Sequence, residues 1–323
     1  MGKKLITVIL LAILMVLISG CTSTTKTTSN ASENIATNET VQATSSASDN
    51  VATNETVEPN NTTEHPNLMA NFTETNVTNI PIVKATAPKT LGAQKGLTAP
   101  AKANKVYSYN WAGYSVTGAK GTVTDVKGSW IVPTVQTKAA NQYSSNWIGI
   151  DGYNSNTVEQ IGTDSDTDAK GRATYYAWYE FYPQPCYYVP LTIHPGDKIT
   201  TEVSYSNGKI TLLINDVTTK KSFSITQDAK GYSRSSAEWI VEAPWYNGVL
   251  PLTNFGTTSL GKVYTSASNT CFATINGKTN SINSFGSAVN YITMVNDKGQ
   301  IKAQPGDLSS DGTSFQTIWK RAS

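Results

Sequence analysis

From Val106 onward, apolar and polar residues alternate in short runs broken by turn residues. This period of two predicts strands over Thr122–Val135, Ser145–Ile150, Thr174–Tyr182, Lys198–Tyr205, Lys209–Ile214, Ser236–Val241 and Ala288–Val295. Ser206-Asn207-Gly208-Lys209 predicts a hairpin, because Asn-Gly supplies the two positive φ angles of a type I′ turn. No stretch of a dozen residues keeps a helical period. Many strands at short spacing predict an all-β domain, a two-sheet antiparallel bent β-sandwich, since a sheet with one apolar face must cover it. The alternation also sorts side chains by face. Glu238, Ile240 and Glu242 share one face of their strand, while Ala237, Trp239 and Val241 take the other, so Trp239 is expected in the core and Glu238 outside it. By the same count Tyr176, Trp178, Glu180 and Tyr182 form an aromatic wall holding one carboxylate.

The first hundred residues follow another pattern. Lys3 and Lys4 precede an apolar run from Leu5 to Ile18, too short to span a bilayer but the right size for a signal-peptide core. It ends in Ile18-Ser19-Gly20-Cys21, which resembles a prokaryotic lipobox. The expected organisation is a signal peptide over 1–21, with Cys21 lipidated, and then a Ser-, Thr- and Asn-rich stalk or propeptide over 22–105. That tract has too few large apolar residues to offset the entropy of ordering. A β-domain over 106–323 follows. Within the stalk, Asn30–Val41 returns as Ser46–Val57, a spacer-like duplication, and sequons begin at Asn30, Asn38, Asn54, Asn60, Asn61, Asn71 and Asn76 with none beyond. The expected location is the extracellular face of the cell membrane, lipid-anchored. Cys186 and Cys271 then lie in an oxidising space, as a disulfide or as two buried thiols.

A formal charge of +2 with 15% charged residues leaves no basic field for nucleic acid. Seven Trp and 16 Tyr against four Met favour strands over helices. Histidine is scarce: His65 lies in the stalk and His194 stands beside Pro195-Gly196-Asp197, a natural turn. A serine or cysteine triad needs an imidazole near a nucleophile elbow, and no Gly-x-Ser-x-Gly exists here. No His-Glu-x-x-His or phosphate loop occurs either. Asp164 and Asp166 read as a polar loop that could take calcium, although two aspartates are only part of a ligand set. Carboxylate and amide chemistry, or binding alone, is left, and neither requires a metal or cofactor.

Asn146-Trp147-Ile148-Gly149-Ile150-Asp151-Gly152 runs on to Val158-Glu159-Gln160-Ile161-Gly162-Thr163-Asp164, followed by Tyr176-Ala177-Trp178-Tyr179-Glu180-Phe181-Tyr182-Pro183 and Ser236-Ala237-Glu238-Trp239-Ile240-Val241-Glu242. In this order, with Asn110-Trp111-Ala112-Gly113-Tyr114 ahead of them, these segments resemble the glutamic peptidases called eqolisins, over about residues 107 to 320. The resemblance implies a concanavalin A-like sandwich, with the catalytic glutamine at Gln160 and the catalytic glutamate at Glu238. Trp147, Asp151, Trp178 and Glu180 match positions around the family's cleft. Tyr176 stands where fungal members usually carry an aspartate. The implied activity is that of an endopeptidase acting on proteins or peptides as a monomer, with Glu238 activating a water and Gln160 supporting the oxyanion. The rival is a carbohydrate-binding or glycoside-hydrolysing surface protein, in which Glu180 and Glu238 pair at about 5 to 10 Å.

Overall fold

The computed structural model of the protein describes residues 103–323 apart from 247. The lipobox with Cys21, the sequons, the duplicated spacer and His65 lie outside the described residues. Strand pairing begins at Asn104, two residues ahead of the expected domain start.

One series of hydrogen-bonded neighbours carries the segments of interest. It runs β1 (Asn104–Ser108), β15 (Val289–Val295), β2 (Trp111–Thr117), β11 (Ser236–Glu242), β4 (Ser145–Asp151), β5 (Val158–Thr167), β6 (Ala173–Tyr182) and β7 (Tyr187–Val189). Only β1 with β15 is parallel among these pairs. A second antiparallel series runs β14 (Lys278–Ser281), β13 (Phe272–Ile275), β3 (Val123–Ile131), β8 (Lys198–Ser206), β9 (Lys209–Asp216) and β10 (Lys221–Asp228). β12 (Thr257–Gly261), β17 (Ser314–Trp319) and β16 (Ile301–Pro305) join β3 back to β15. Helix is confined to α1 (Lys262–Thr265) and a 3₁₀ segment, Ile282–Ala288, among the described residues.

The apolar faces of the two series meet in one cluster. Ile148, Ile150, Ile161 and Trp239 come from the first series and Val126, Trp130, Ile199, Val203, Ile210 and Leu212 from the second. Trp239 is wholly buried there, as its position in the alternation predicts, and its indole N–H donates to the Lys127 carbonyl at 2.8 Å. At the Asn207-Gly208 hairpin both residues have positive φ, 50° and 78°, as a type I′ turn requires. The His194 N–H donates to the Asp197 carboxylate at 2.7 Å, closing the expected turn.

One expectation is corrected and one open alternative is decided. Asp164 and Asp166 lie not in a loop but in β5, a ten-residue strand buried along its whole length. Its polar sequence hides it, because alternate residues face a polar site rather than an apolar core. Cys186 and Cys271 form no disulfide, and both are buried thiols. They belong to separate clusters: Cys271 packs in the main core, Cys186 with Trp147 and Trp178 on the opposite side of the sheet.

Candidate active site

In antiparallel pairs, directly opposed residues point to the same face, so register alone assembles the site. Glu238 on β11 opposes Gly149 on β4, Gly149 opposes Gln160 on β5, and Gln160 opposes Glu180 on β6. Glu238, Gln160 and Glu180 therefore stand in one row on one face. Two strand spacings put the Glu238 and Gln160 backbones about 10 Å apart. The residue between them is glycine, so no side chain of that row stands between the two groups. A Cβ at Gly149 would meet Trp147 Cζ3 at 3.1 Å and Val158 Cγ2 at 3.2 Å.

The next row along is Ile240, Trp147, Gly162 and Trp178. Here too a glycine makes room, since a Cβ at Gly162 would lie 2.7 Å from that of Trp147. The row after it holds Glu242, Ser145, Asp164 and Tyr176. Its carboxylates hold the tryptophans in place: the Trp147 indole donates to Glu242 at 2.8 Å and the Trp178 indole to Asp164 at 2.5 Å. Asn110 donates to the other Glu242 oxygen at 2.8 Å, and Ser145 to Asp164 at 2.5 Å. The Tyr176 hydroxyl donates to Asp164 at 2.8 Å and to Asp166 at 3.1 Å, while the Ser144 N–H donates to Asp166 at 3.0 Å. The oxygens of these aspartates are thus taken up by protein donors, which leaves calcium no ligand set at this pair.

Gln160 donates from Nε2 to Glu180 Oε2 at 2.5 Å, and its Oε1 has no partner among the described residues. Glu238 is fully buried, and neither of its oxygens accepts a hydrogen bond there. Burial is the main reason its carboxyl is pushed well above the ordinary range. The neighbouring Ser236 hydroxyl and Tyr153 N–H oppose that rise without completing a hydrogen bond, and the Asp151 charge adds to it. Burial likewise raises Glu242 to about 8 and Asp164 to about 6.

The face is the predicted one, but it is not open. Gln160, Glu180 and Glu238 are all inaccessible, and Tyr153, Val158, Cys186, Trp147 and Trp178 form one buried cluster on this side of the sheet. Asp151, expected at the cleft, is near enough for its charge to act on Glu238, and it also fixes the chain. Its buried carboxylate accepts the Arg234 N–H at 2.6 Å, the Ser235 N–H at 2.8 Å and the Ser235 hydroxyl at 3.0 Å. It thereby ties the connection ahead of β11 to the end of β4 and sets where Glu238 stands. Sequence reasoning missed Gly149, Tyr153 and Ser236. The glycine carried a readable signal, an isolated Gly at period two between Trp147 and Asp151 in a strand. Tyr153 and Ser236 carried none, since their positions depend on the fold.

The sequence profile of the Peptidase A4 family matches residues 109–302, well over half the chain. Aspergillopepsin-2 of Aspergillus niger is 33% identical over 166 residues, 43% of this chain and 57% of that protein. Scytalidopepsin B of Scytalidium lignicola is 30% identical over 139 residues, 41% of this chain and 51% of that one. The chain thus spans little more than half the length of the curated relatives it matches. In structure, 66% of the chain superposes on 99% of scytalido-glutamic peptidase bound to a transition-state analog inhibitor, with a TM-score of 0.54 and 22% identity, a likeness of fold. A profile match of this extent, over the segments that build the Glu238–Gln160 row, assigns the family: the chain belongs to the Peptidase A4 family, the glutamic peptidases.

Proposed function

We propose that the protein is a glutamic endopeptidase in which Glu238 and Gln160 act together on a peptide bond seated over Gly149. The observation that carries this reading is the register. It puts a carboxyl and a carboxamide on one face, on either side of a glycine, with Glu180 fixing the amide. Ionised Glu238 takes a proton from a water as it attacks the scissile carbonyl, and the protonated acid then gives that proton to the leaving amine. Gln160 supports the oxyanion through an amide N–H. Trp147 and Trp178, pinned by Glu242 and Asp164, form the walls of the cleft. Substrate reaches the pair when the side chains packed around it part to admit the peptide bond.

The two facing series fit the bent sandwich of concanavalin A type. In the same reading Cys21 carries lipid, residues 22–105 act as spacer or propeptide, and a monomeric enzyme works on proteins and peptides outside the membrane. The glycosidase alternative fits less well. Glu180 is engaged with Gln160 and stands three strand spacings from Glu238, about 14 Å between backbones. Incubating the full chain with a denatured protein between pH 2 and 7, with pepstatin present, tests the proposal. Cleavage that disappears in Gln160→Ala supports it, and glycan binding without cleavage overturns it.

A further inference from the structure

Oxyanion holes work through several donors aimed at one oxygen, and Gln160 alone supplies few. A carboxamide has two N–H donors, and in this chain one of them is committed to Glu180. One N–H is left for the substrate. Tyr153 lies beside the same row, next to Glu238. Asp151 and Gly152 take consecutive positive φ angles, 72° and 105°, where the chain leaves β4. The tight fit of Gly152 holds this course, since a Cβ there would lie 3.0 Å from the Trp111 ring and 3.3 Å from Val158. Tyr153 is only 7% exposed and packs in the cluster that holds Trp147, Val158, Trp178 and Ile240, the residues flanking the row of Glu238 and Gln160. Its backbone N–H lies beside the Glu238 carboxyl. Its hydroxyl, although buried, has no hydrogen-bond partner among the described residues.

An unpartnered buried hydroxyl is costly to keep unless something occupies it in the working state. We propose that Tyr153 is a third catalytic residue: with substrate bound, its phenol O–H donates to the oxygen of the attacked carbonyl, beside the remaining N–H of Gln160. Burial and the Glu238 charge push the phenol up to about 12, so it stays a donor across the acid and neutral range. Ser236, the other hydroxyl beside Glu238, lies on β11 itself and favours the charged carboxylate. It serves the base, whereas Tyr153 reaches in from a separate loop.

The inference rests on the glutamate and glutamine reading, and the test separates the two. Tyr153→Phe keeps the ring and removes only the unpartnered O–H, so the variant should fold with an unchanged or raised thermal midpoint. In the full chain, kcat for a fluorogenic peptide should fall about 10²-fold with KM changed less than threefold. Inhibition by a peptide aldehyde, which gives a tetrahedral adduct with water, should weaken in proportion to kcat/KM, while the affinity of a reduced-bond peptide lacking that oxygen should not move. A Tyr153→Phe enzyme within threefold of the parent kcat, or one altered only in KM, overturns the role of Tyr153 and leaves the Glu238 reading standing. Cleavage retained by Glu238→Gln overturns the reading beneath it, whatever Tyr153 does.

Discussion

At the residue scale, the site is a set of buried polar groups whose hydrogen bonds are unequally filled. Glu242 and Asp164 are well supplied, each holding an indole N–H and a further donor. Glu238 and the Gln160 carbonyl oxygen have none. Both Glu238 and Glu159 are bare buried carboxyls, but only Glu238 shares a face with Gln160, whereas Glu159 points to the core, so chemistry is sought at Glu238. Glu180 is paired and works through Gln160. Glu180→Ala leaves the amide free to rotate, and a displaced catalytic group costs about 10²-fold in rate. The expected result is a fall in kcat of that order with circular dichroism unchanged. A parental kcat in that variant would show that Gln160 needs no such support.

At the scale of elements, four strands and one glycine make the site. β11, β4, β5 and β6 lie side by side, and no side chain separates Glu238 from Gln160 in their row because Gly149 stands between them. Gly149→Ala places a methyl 3.1 Å from the Trp147 ring, so the ring must shift by a few tenths of an ångström. We expect a stability loss of about 1 kcal/mol, at the low end for overpacking, with a far larger fall in kcat/KM because the methyl stands where substrate must sit. Urea melts and peptide kinetics on the same preparation read both. Asp151→Ala acts on the connection ahead of β11. Its carboxylate holds two backbone N–H groups, and hydrogen bonds to a charged group contribute about 1.5 to 3 kcal/mol each. A drop of several kcal/mol in urea denaturation is expected, and a drop under 1 kcal/mol would remove the clamp from the account.

The face assignments on β6 and β11 were readable from the sequence, because Tyr176 to Tyr182 and Ser236 to Glu242 alternate cleanly and register preserves alternation. β5 was not readable. Val158–Thr167 is buried on both faces but carries Glu159, Gln160, Asp164 and Asp166, so its pattern is that of a polar loop. The place of Tyr153 was hidden for a different reason. Tyr153 comes beside Glu238 just after the positive-φ pair Asp151 and Gly152, and nothing in the order of residues states where the chain goes after such a pair.

At the scale of the molecule, the same burial makes stability depend on pH. Glu159 sits on the core face of β5, opposite Ile150 and Phe181, and both its oxygens are unpartnered among the described residues. Burial first, then the Asp151 and Glu238 charges, hold it well above the ordinary range against the pull of Arg234. Glu242, at about 8, and Asp164, at about 6, are raised as well. For acids raised on folding, stability is full below the unfolded carboxylate range, about 4.3 for glutamate. It declines as pH rises through about 6 and on through about 8. The thermal midpoint of the domain should therefore be higher at pH 4 than at pH 8. Glu159→Gln should flatten that decline, raising the midpoint at pH 8 and not at pH 4. A midpoint that climbs from pH 4 to pH 8 contradicts the burial of these acids.

The central claim is that Glu238 and Gln160 act on one substrate, and one comparison reaches it directly. The full chain, Glu238→Gln and Gln160→Ala are incubated with a denatured protein at pH values from 2 to 8 with pepstatin, and new amino termini are counted by mass spectrometry. Cleavage by the parent that vanishes in Glu238→Gln and falls about 10²- to 10³-fold in Gln160→Ala, with all three chains folded, is the predicted result. Undiminished cleavage by either variant contradicts it.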